Sequence, residues 1–188
     1  MEGYAFRLRP IADHDAAFVV ELRRNPELNR YLHAGSNQVE GQLAWLAHYY
    51  EREGAYYFVI ERCNNGMSEG VIGLYDIDLD KSSGEWGWWI LRPGSLAAVE
   101  SAYLIYRTAF ELLGLNSVYC CTVLDNDKVV SFHDSCGITA RKLLPQHFKL
   151  GGHRHDAVEH GVDLASWTGI KPRLEKLAQL TARRVSHV

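Results

Sequence analysis

Long apolar runs are missing from this sequence, and so is any large excess of charge of one sign. No stretch of about 18 consecutive apolar residues occurs, so nothing reads as a membrane-spanning helix. The first ten residues, MEGYAFRLRP, lack the apolar core of a secretory leader and read as mature protein. Net charge is −3, so no basic field calls for nucleic acid or an anionic bilayer, and neither is expected as a partner. Cysteine is sparse. The four cysteines, Cys63, Cys120, Cys121 and Cys136, match no zinc spacing, and two of them are adjacent. Buried free thiols in a reducing cytosol are the default reading, which sets a cytoplasmic expectation. No internal repeat, low-complexity tract or linker divides the chain. Its 188 residues, 47% of them hydrophobic, suffice for one globular domain with a full-sized core.

The stretch from Gly84 to Leu113 organises what is present. Glu85 to Leu91 is rich in aromatic and branched residues and reads as a strand. Arg92-Pro93-Gly94-Ser95 breaks it, because Pro93 cannot donate to a ladder and Gly94 permits a sharp turn. A helix follows, with Ser95 as its expected N-cap, an apolar stripe from Val99 to Leu113, and Gly114 to end it. A strand that turns directly into a helix leaves backbone N–H groups facing outward, a nest suited to anions and to phosphate above all.

The remaining elements fall in order around this stretch. Phe6–Arg9 is a short strand and Asp13 opens a helix through Arg24 that stops at Asn25-Pro26. Gln38–Arg52 is a second helix, striped by Leu43, Leu46 and Tyr50, with Trp45 beside the stripe. Strands at Tyr56–Arg62 and Gly70–Leu79 flank the turn Asn64-Asn65-Gly66. Then come a strand at Val118–Leu124, a helix at Asp127–Cys136, and strands at Ile138–Leu144 and Ala157–Leu164. A basic helix, Lys171–Arg184, follows a break at Gly-Ile-Lys-Pro. The expected division is a single domain over 1–168 and a basic helical tail over 169–188. Short turns among the three central strands imply antiparallel pairing, and the β-α-β from Glu85 to Leu124 implies a parallel pair. The fold class is α/β: a mixed sheet of about seven strands with helices on both faces.

This order resembles the GCN5-related N-acetyltransferase (GNAT) superfamily over roughly residues 4 to 167. LRPIADHDAAFVVELRRNPELNRYL is similar to the family's first strand and helix. Arg92-Pro93-Gly94-Ser95-Leu96-Ala97 resembles its pyrophosphate loop [QR]-x-x-G-x-[GA], with Ser95 in place of the middle glycine and about three residues fewer. Asn126 to Ile138 resembles N-x-x-[AS]-[IV]-x-[FL]-[YH]-E-K-x-G-F, keeping Asn126, Val130, Phe132 and Gly137. Within the superfamily, the look is closest to nucleotide-amino-sugar acetyltransferases, with the N-terminal acetyltransferases of ribosomal proteins as the close rival.

The resemblance implies a central splay between Glu85–Leu91 and Val118–Leu124, and acetyl-CoA as co-substrate with no metal. Trp89, Ile90 and Leu91 would pair with the pantetheine arm. Gly94, Ser95, Leu96 and Ala97 would take the pyrophosphate on backbone amides, aided by Arg92, while Asn126 and Phe132 would flank the cofactor. His133, at the family's acid position, is the expected acid for the leaving thiolate, and Glu85 the expected base. The acceptor is expected to be a small, anionic primary amine docked near Arg23, Arg24, Trp45 and Tyr75; a homodimer is admitted as an arrangement. A rival of another class is a non-catalytic acyl-CoA-binding regulator on the same fold. Two other patterns carry less. Asp76, Asp78 and Asp80 suggest a calcium loop, but Lys81 and Gly87 stand where that loop needs glycine and glutamate. His147, His153, His155 and His160 match no known zinc pattern.

Overall fold

The computed structural model describes residues 1–33 and 35–185. Seven strands form one sheet in the order β1-β2-β3-β4-β5-β7-β6. They are β1 (Phe6–Pro10), β2 (Tyr56–Arg62), β3 (Ser68–Asp78), β4 (Ser83–Leu91), β5 (Ser117–Val123), β6 (Arg141–Leu150) and β7 (His153–Asp163). Every neighbouring pair is antiparallel except β4 and β5, so the expected mixed sheet is present. Six helices cover it: α1 (Ala16–Arg24), α2 (Pro26–Asn29), α3 (Val39–Tyr50), α4 (Ala98–Arg107), α5 (Asp127–Ser135) and α6 (Leu164–Val185).

Alternation along the strands divides the apolar residues between two cores. Ile60, Ile72, Leu74 and Trp86 face α4 and α6, in a core filled by Tyr103, Tyr106 and Trp167. Val59 and Val71, their sequence neighbours, face α1 and α3 beside Val19, Leu22 and Leu46. Helices therefore lie on both faces.

Several boundaries differ from expectation, each for a local reason. Ser95 is not the N-cap of α4. The helix begins at Ala98 after Ala97, and the Ser95 hydroxyl instead accepts from the Ala97 N–H at 3.2 Å inside a longer loop. Gly94 has φ +78 and makes the turn there; Gly114, at φ +66, ends the π-helical continuation of α4 as expected. Of the expected stripe on α3 only Leu46 is buried, together with Gln42 four residues before it, while Leu43 and Tyr50 are exposed. β6 and β7 run on past their expected ends into a hairpin closed by Gly151 and Gly152, both at positive φ as a tight hairpin turn requires.

The segment expected as a tail packs into the main core. α6 continues through Pro172, and Trp167, Leu174, Ala178, Ala182 and Val185 are buried along it. Trp167 stacks on Phe110 at 5.3 Å. An interior proline costs about 3 kcal/mol, and the burial of Trp167, Leu174 and Val185 at roughly 1.5 to 3 kcal/mol each offsets it. Residues 186–188 of that expected tail lie outside the described residues. No helix among the described residues is long and apolar enough to cross a membrane.

Candidate active site

The parallel pair holds together over only three residues: Ser83 with Ser117, Gly84 with Val118, and Glu85 with Tyr119. Beyond Glu85, β4 stays with β3 while β5 stays with β7, and the two diverge. The splay opens a cavity of about 1300 Å³. That exceeds the roughly 300–1000 Å³ usual for a single small ligand, so two reactants fit at once. On its β4 side lie Trp89, Ile90 and Leu91, with no strand between them and β5.

A bulge decides which tryptophan faces which core. Val71 pairs with Ile90 and Gly73 with Gly87, so β4 uses three steps where β3 uses two. Trp88, at φ +49, is the extra residue. Strict alternation from Trp86 would send Trp88 into the α4 core. The bulge instead turns Trp88 and Ile90 toward α1 and α3, and leaves Trp89 against α4. There the Trp89 indole N–H donates to Ser101 at 3.2 Å, and its ring lies 5.1 Å from Phe132 on α5. Trp88 stacks on Tyr75 at 4.3 Å and meets Trp45 and Tyr57 edge-on, at 5.4 and 5.3 Å. These rings make an aromatic wall along the cavity.

Glu85 sits at the foot of that wall, where the strands part. The Tyr75 hydroxyl donates to its carboxylate at 3.3 Å. Burial pushes its pKa up to about 7, and the charges of Asp76 and Glu159 push the same way against hydrogen bonds from Tyr75 and the Cys121 backbone. A carboxylate tuned to neutrality in a cleft is suited to taking up a proton and passing it on.

At the cavity's other end lie Arg92, Pro93, Gly94 and Ser95, followed by the α4 N-terminus. Its first N–H groups have no intrahelical partner and carry the positive end of the helix dipole. A Cβ added at Gly94 would meet nothing within 4 Å, so the turn is open toward the cavity side. Arg92 is held by Glu21 at 3.1 Å and lies over the Phe18 ring at 5.0 Å. Leu96 and Ala97 do not line the cavity: Ala97 is buried beneath the loop and Leu96 is half-exposed. Asn126 and Phe132 do line it.

His133 does not. Successive helical residues point about 100° apart, so with Phe132 facing the cavity His133 faces the sheet. It is fully buried, stacked on His160 at 4.6 Å, edge-on to Trp86 at 5.5 Å, and 3.6 Å from the Cys120 sulfur. Burial, with His160 beside it, lowers its pKa to about 3. A neutral core imidazole with no face on the cavity is a correction to the expected acid.

The acceptor residues divide as well. Arg23 lines the cavity, with its Nη1 3.4 Å from the His33 carbonyl, and Trp45 and Tyr75 line it too. Arg24 does not; its guanidinium is spent on the Asn37 carbonyl, at 2.9 and 3.1 Å. Sequence reasoning missed Trp88, Tyr57, Tyr31, His147 and Phe148, all of which line the cavity. Trp88 was hidden because only the β3–β4 register shows the bulge. His147 was set aside with the other histidines for want of a zinc pattern. Among the described residues, no group of three or more His, Cys, Asp or Glu converges to hold a metal.

Comparison with known proteins agrees with this geometry. The putative ribosomal N-acetyltransferase YdaF of Bacillus subtilis (strain 168) is 27% identical over 111 residues, which cover 57% of this chain and 60% of that protein. The match thus spans less than two thirds of YdaF. Two solved structures match nearly end to end. The apo form of FdhC, a nucleotide-linked sugar GNAT, is 28% identical with a TM-score of 0.78, covering 95% of this chain and 97% of its own. A putative acetyltransferase from T. thermophilus is 27% identical with a TM-score of 0.80, over 94% and 95% of the two chains. The family model of the acetyltransferase (GNAT) domain matches residues 6–139, from β1 through the splay and past α5. The chain therefore belongs to the GNAT acetyltransferase family.

Proposed function

We propose that this protein is an acetyl-CoA-dependent N-acetyltransferase acting on a small primary amine that also carries an anionic group. The observation that carries the reading is Glu85, a carboxylate with a pKa near 7 at the point where β4 and β5 part. Trp89–Leu91 would hold the pantetheine arm along their free edge, and the amides around Gly94 and Ser95 and the start of α4 would hold the pyrophosphate of CoA. When bound, acetyl-CoA supplies the thioester carbon at the splay. Glu85 removes a proton from the incoming ammonium, directly or through water, which frees the nitrogen lone pair for attack. The N–C bond forms, the C–S bond breaks, and a proton from the attacking nitrogen ends on the departing sulfur. His133 has no part in that transfer.

Charge is distributed along the cavity in a way that suits such an acceptor. Glu85 and Asp76, the latter paired with Arg52, line the cavity with negative charge, and Arg23 lines it with positive charge. A nucleotide-linked amino sugar complements both charges, and the end-to-end likeness to a nucleotide-linked sugar GNAT supports this choice over a protein N-terminus. Arg23→Ala should raise the acceptor KM about tenfold or more, as loss of a charged hydrogen bond does, while Arg24→Ala should leave it unchanged. Steady-state kinetics on both variants checks this. Peptides acetylated far faster than any nucleotide-linked amino sugar would transfer the assignment to N-terminal acetylation.

Cofactor binding has its own test. Acetyl-CoA at 100 times its Kd should stabilise the fold by about 2.7 kcal/mol. Gly94→Val should weaken that binding, because a branched side chain at φ +78 is strained and would intrude on the amide nest. Calorimetric melting with saturating acetyl-CoA decides it; no shift in the wild type would leave the fold without its donor.

A further inference from the structure

Four non-glycine residues among those described have positive φ: Asp76, Ser82, Trp88 and Gln146. Backbone of this kind costs free energy and collects at functional sites. Asp76 and Trp88 line the cavity, and Gln146 immediately precedes His147, which also lines it. Gln146, at φ +51, lies within a bulge of β6. From Leu144 to Phe148 is four steps, against two from Ala157 to His155 on β7, so β6 carries two extra residues. Two β7 side chains pin it. Asp156 accepts from the Gln146 N–H at 2.8 Å, and Arg154 donates to the Gln146 carbonyl at 3.0 Å.

The bulge lets two successive residues, His147 and Phe148, reach the cavity, which an unbroken strand would send to opposite faces. Phe148 meets His147 at 4.8 Å and His33 at 5.7 Å, both edge-on, and the His33 carbonyl is 3.4 Å from Arg23. Contacts thus run from Arg23 through His33 and Phe148 to His147, and all four residues line the cavity.

We propose that the pinned bulge builds a phosphate-binding subsite, in which His147 joins Arg23 in holding the diphosphate of the acceptor while Phe148 packs against its ribose or sugar. Asp156 and Arg154 are positioning residues: they touch the bulge, and the acceptor only through His147 and Phe148. This rests on the acceptor reading given above and names the residues that would select it. The test is calorimetric titration of uridine diphosphate into protein saturated with CoA, so that the cofactor's own pyrophosphate site is filled. Wild type should bind. His147→Ala and Asp156→Ala should each bind about tenfold or more weakly, with melting temperature and acetyl-CoA affinity retained. Lys149→Ala, one residue beyond Phe148 and off the cavity, should bind like wild type. Should Asp156→Ala fail to fold, the exposed site of His147→Ala carries the comparison. Absence of uridine diphosphate binding by the wild type, or equal binding by His147→Ala, overturns the subsite. Absence of acetyl-CoA binding by the wild type would instead sink the acetyltransferase reading, so the two failures are separable.

Discussion

Replacing Glu85 by glutamine should lower kcat by about 10² to 10⁴-fold, the usual worth of a positioned general base, and leave acetyl-CoA affinity near that of wild type. The pH dependence supplies the sharper readout. A base works in its deprotonated form, so wild-type kcat/KM for the acceptor should rise with pH through about 7, where burial has placed this carboxylate. The glutamine variant should lose that rise. Its stability should move the other way. A carboxyl whose folded pKa lies above its unfolded value is least costly when protonated, so Glu85 weakens the fold as pH rises from about 4.5 to 7. Glu85→Gln should therefore melt higher than wild type at pH 8. A variant with full activity and an unchanged pH profile would assign the proton to another group and leave Glu85 a strand residue.

Acidification should destabilise the protein through His133 and His160, on the order of 3–5 kcal/mol for His133 alone. Both imidazoles are fully buried, and burial holds both pKa values down. The folded pKa lies below the unfolded one, so between about 6.5 and 3 the unfolded chain binds more protons. Stability from this source is complete above pH 6.5 and is lost as pH falls. Burial outweighs the facing charges: Trp86, Cys120 and His160 surround His133, while Asp134, paired with Arg141 and 3.7 Å from His160, favours the charged forms without overcoming it. His133→Leu should flatten the acid limb of a melting-temperature profile, and His133→Ala should cost roughly 2 to 4 kcal/mol through the cavity it leaves. Neither should change kcat beyond a few fold. A hundredfold loss of kcat with an unaltered melting temperature would return His133 to the chemistry.

These two residues illustrate how unequal the site was in legibility. Glu85 was picked out through the family resemblance, and the turn at the end of its strand is written in Arg92-Pro93-Gly94-Ser95. His133 was identifiable by its place in a motif, yet motif position does not state which way a helix is rotated. The packing of Phe132 against Trp89 sets that rotation, and those residues are 43 positions apart in the chain. Arg23 and Arg24 are adjacent and chemically alike; only the carbonyl of Asn37, brought close by the fold, separates the one that lines the cavity from the one that does not.

Amino-acid order alone determined the element order, the antiparallel central strands, the parallel crossover at β4–β5 and the turn at Gly94. Each follows from local causes: alternation, turn residues, and short against long connections. Tertiary structure decided the rest. The bulges at Trp88 and Gln146 exist only as a mismatch between two strands; the single extra residue at Trp88 exchanges the faces of the side chains beyond it, and the two at Gln146 let successive residues reach the cavity. The continuation of α6 through Pro172 likewise depends on apolar burial against α4, which outweighs a local signal to stop. Local propensities are worth tenths of a kcal/mol to about 3, whereas burial of several large side chains is worth more. Where the two disagree in this chain, burial prevails.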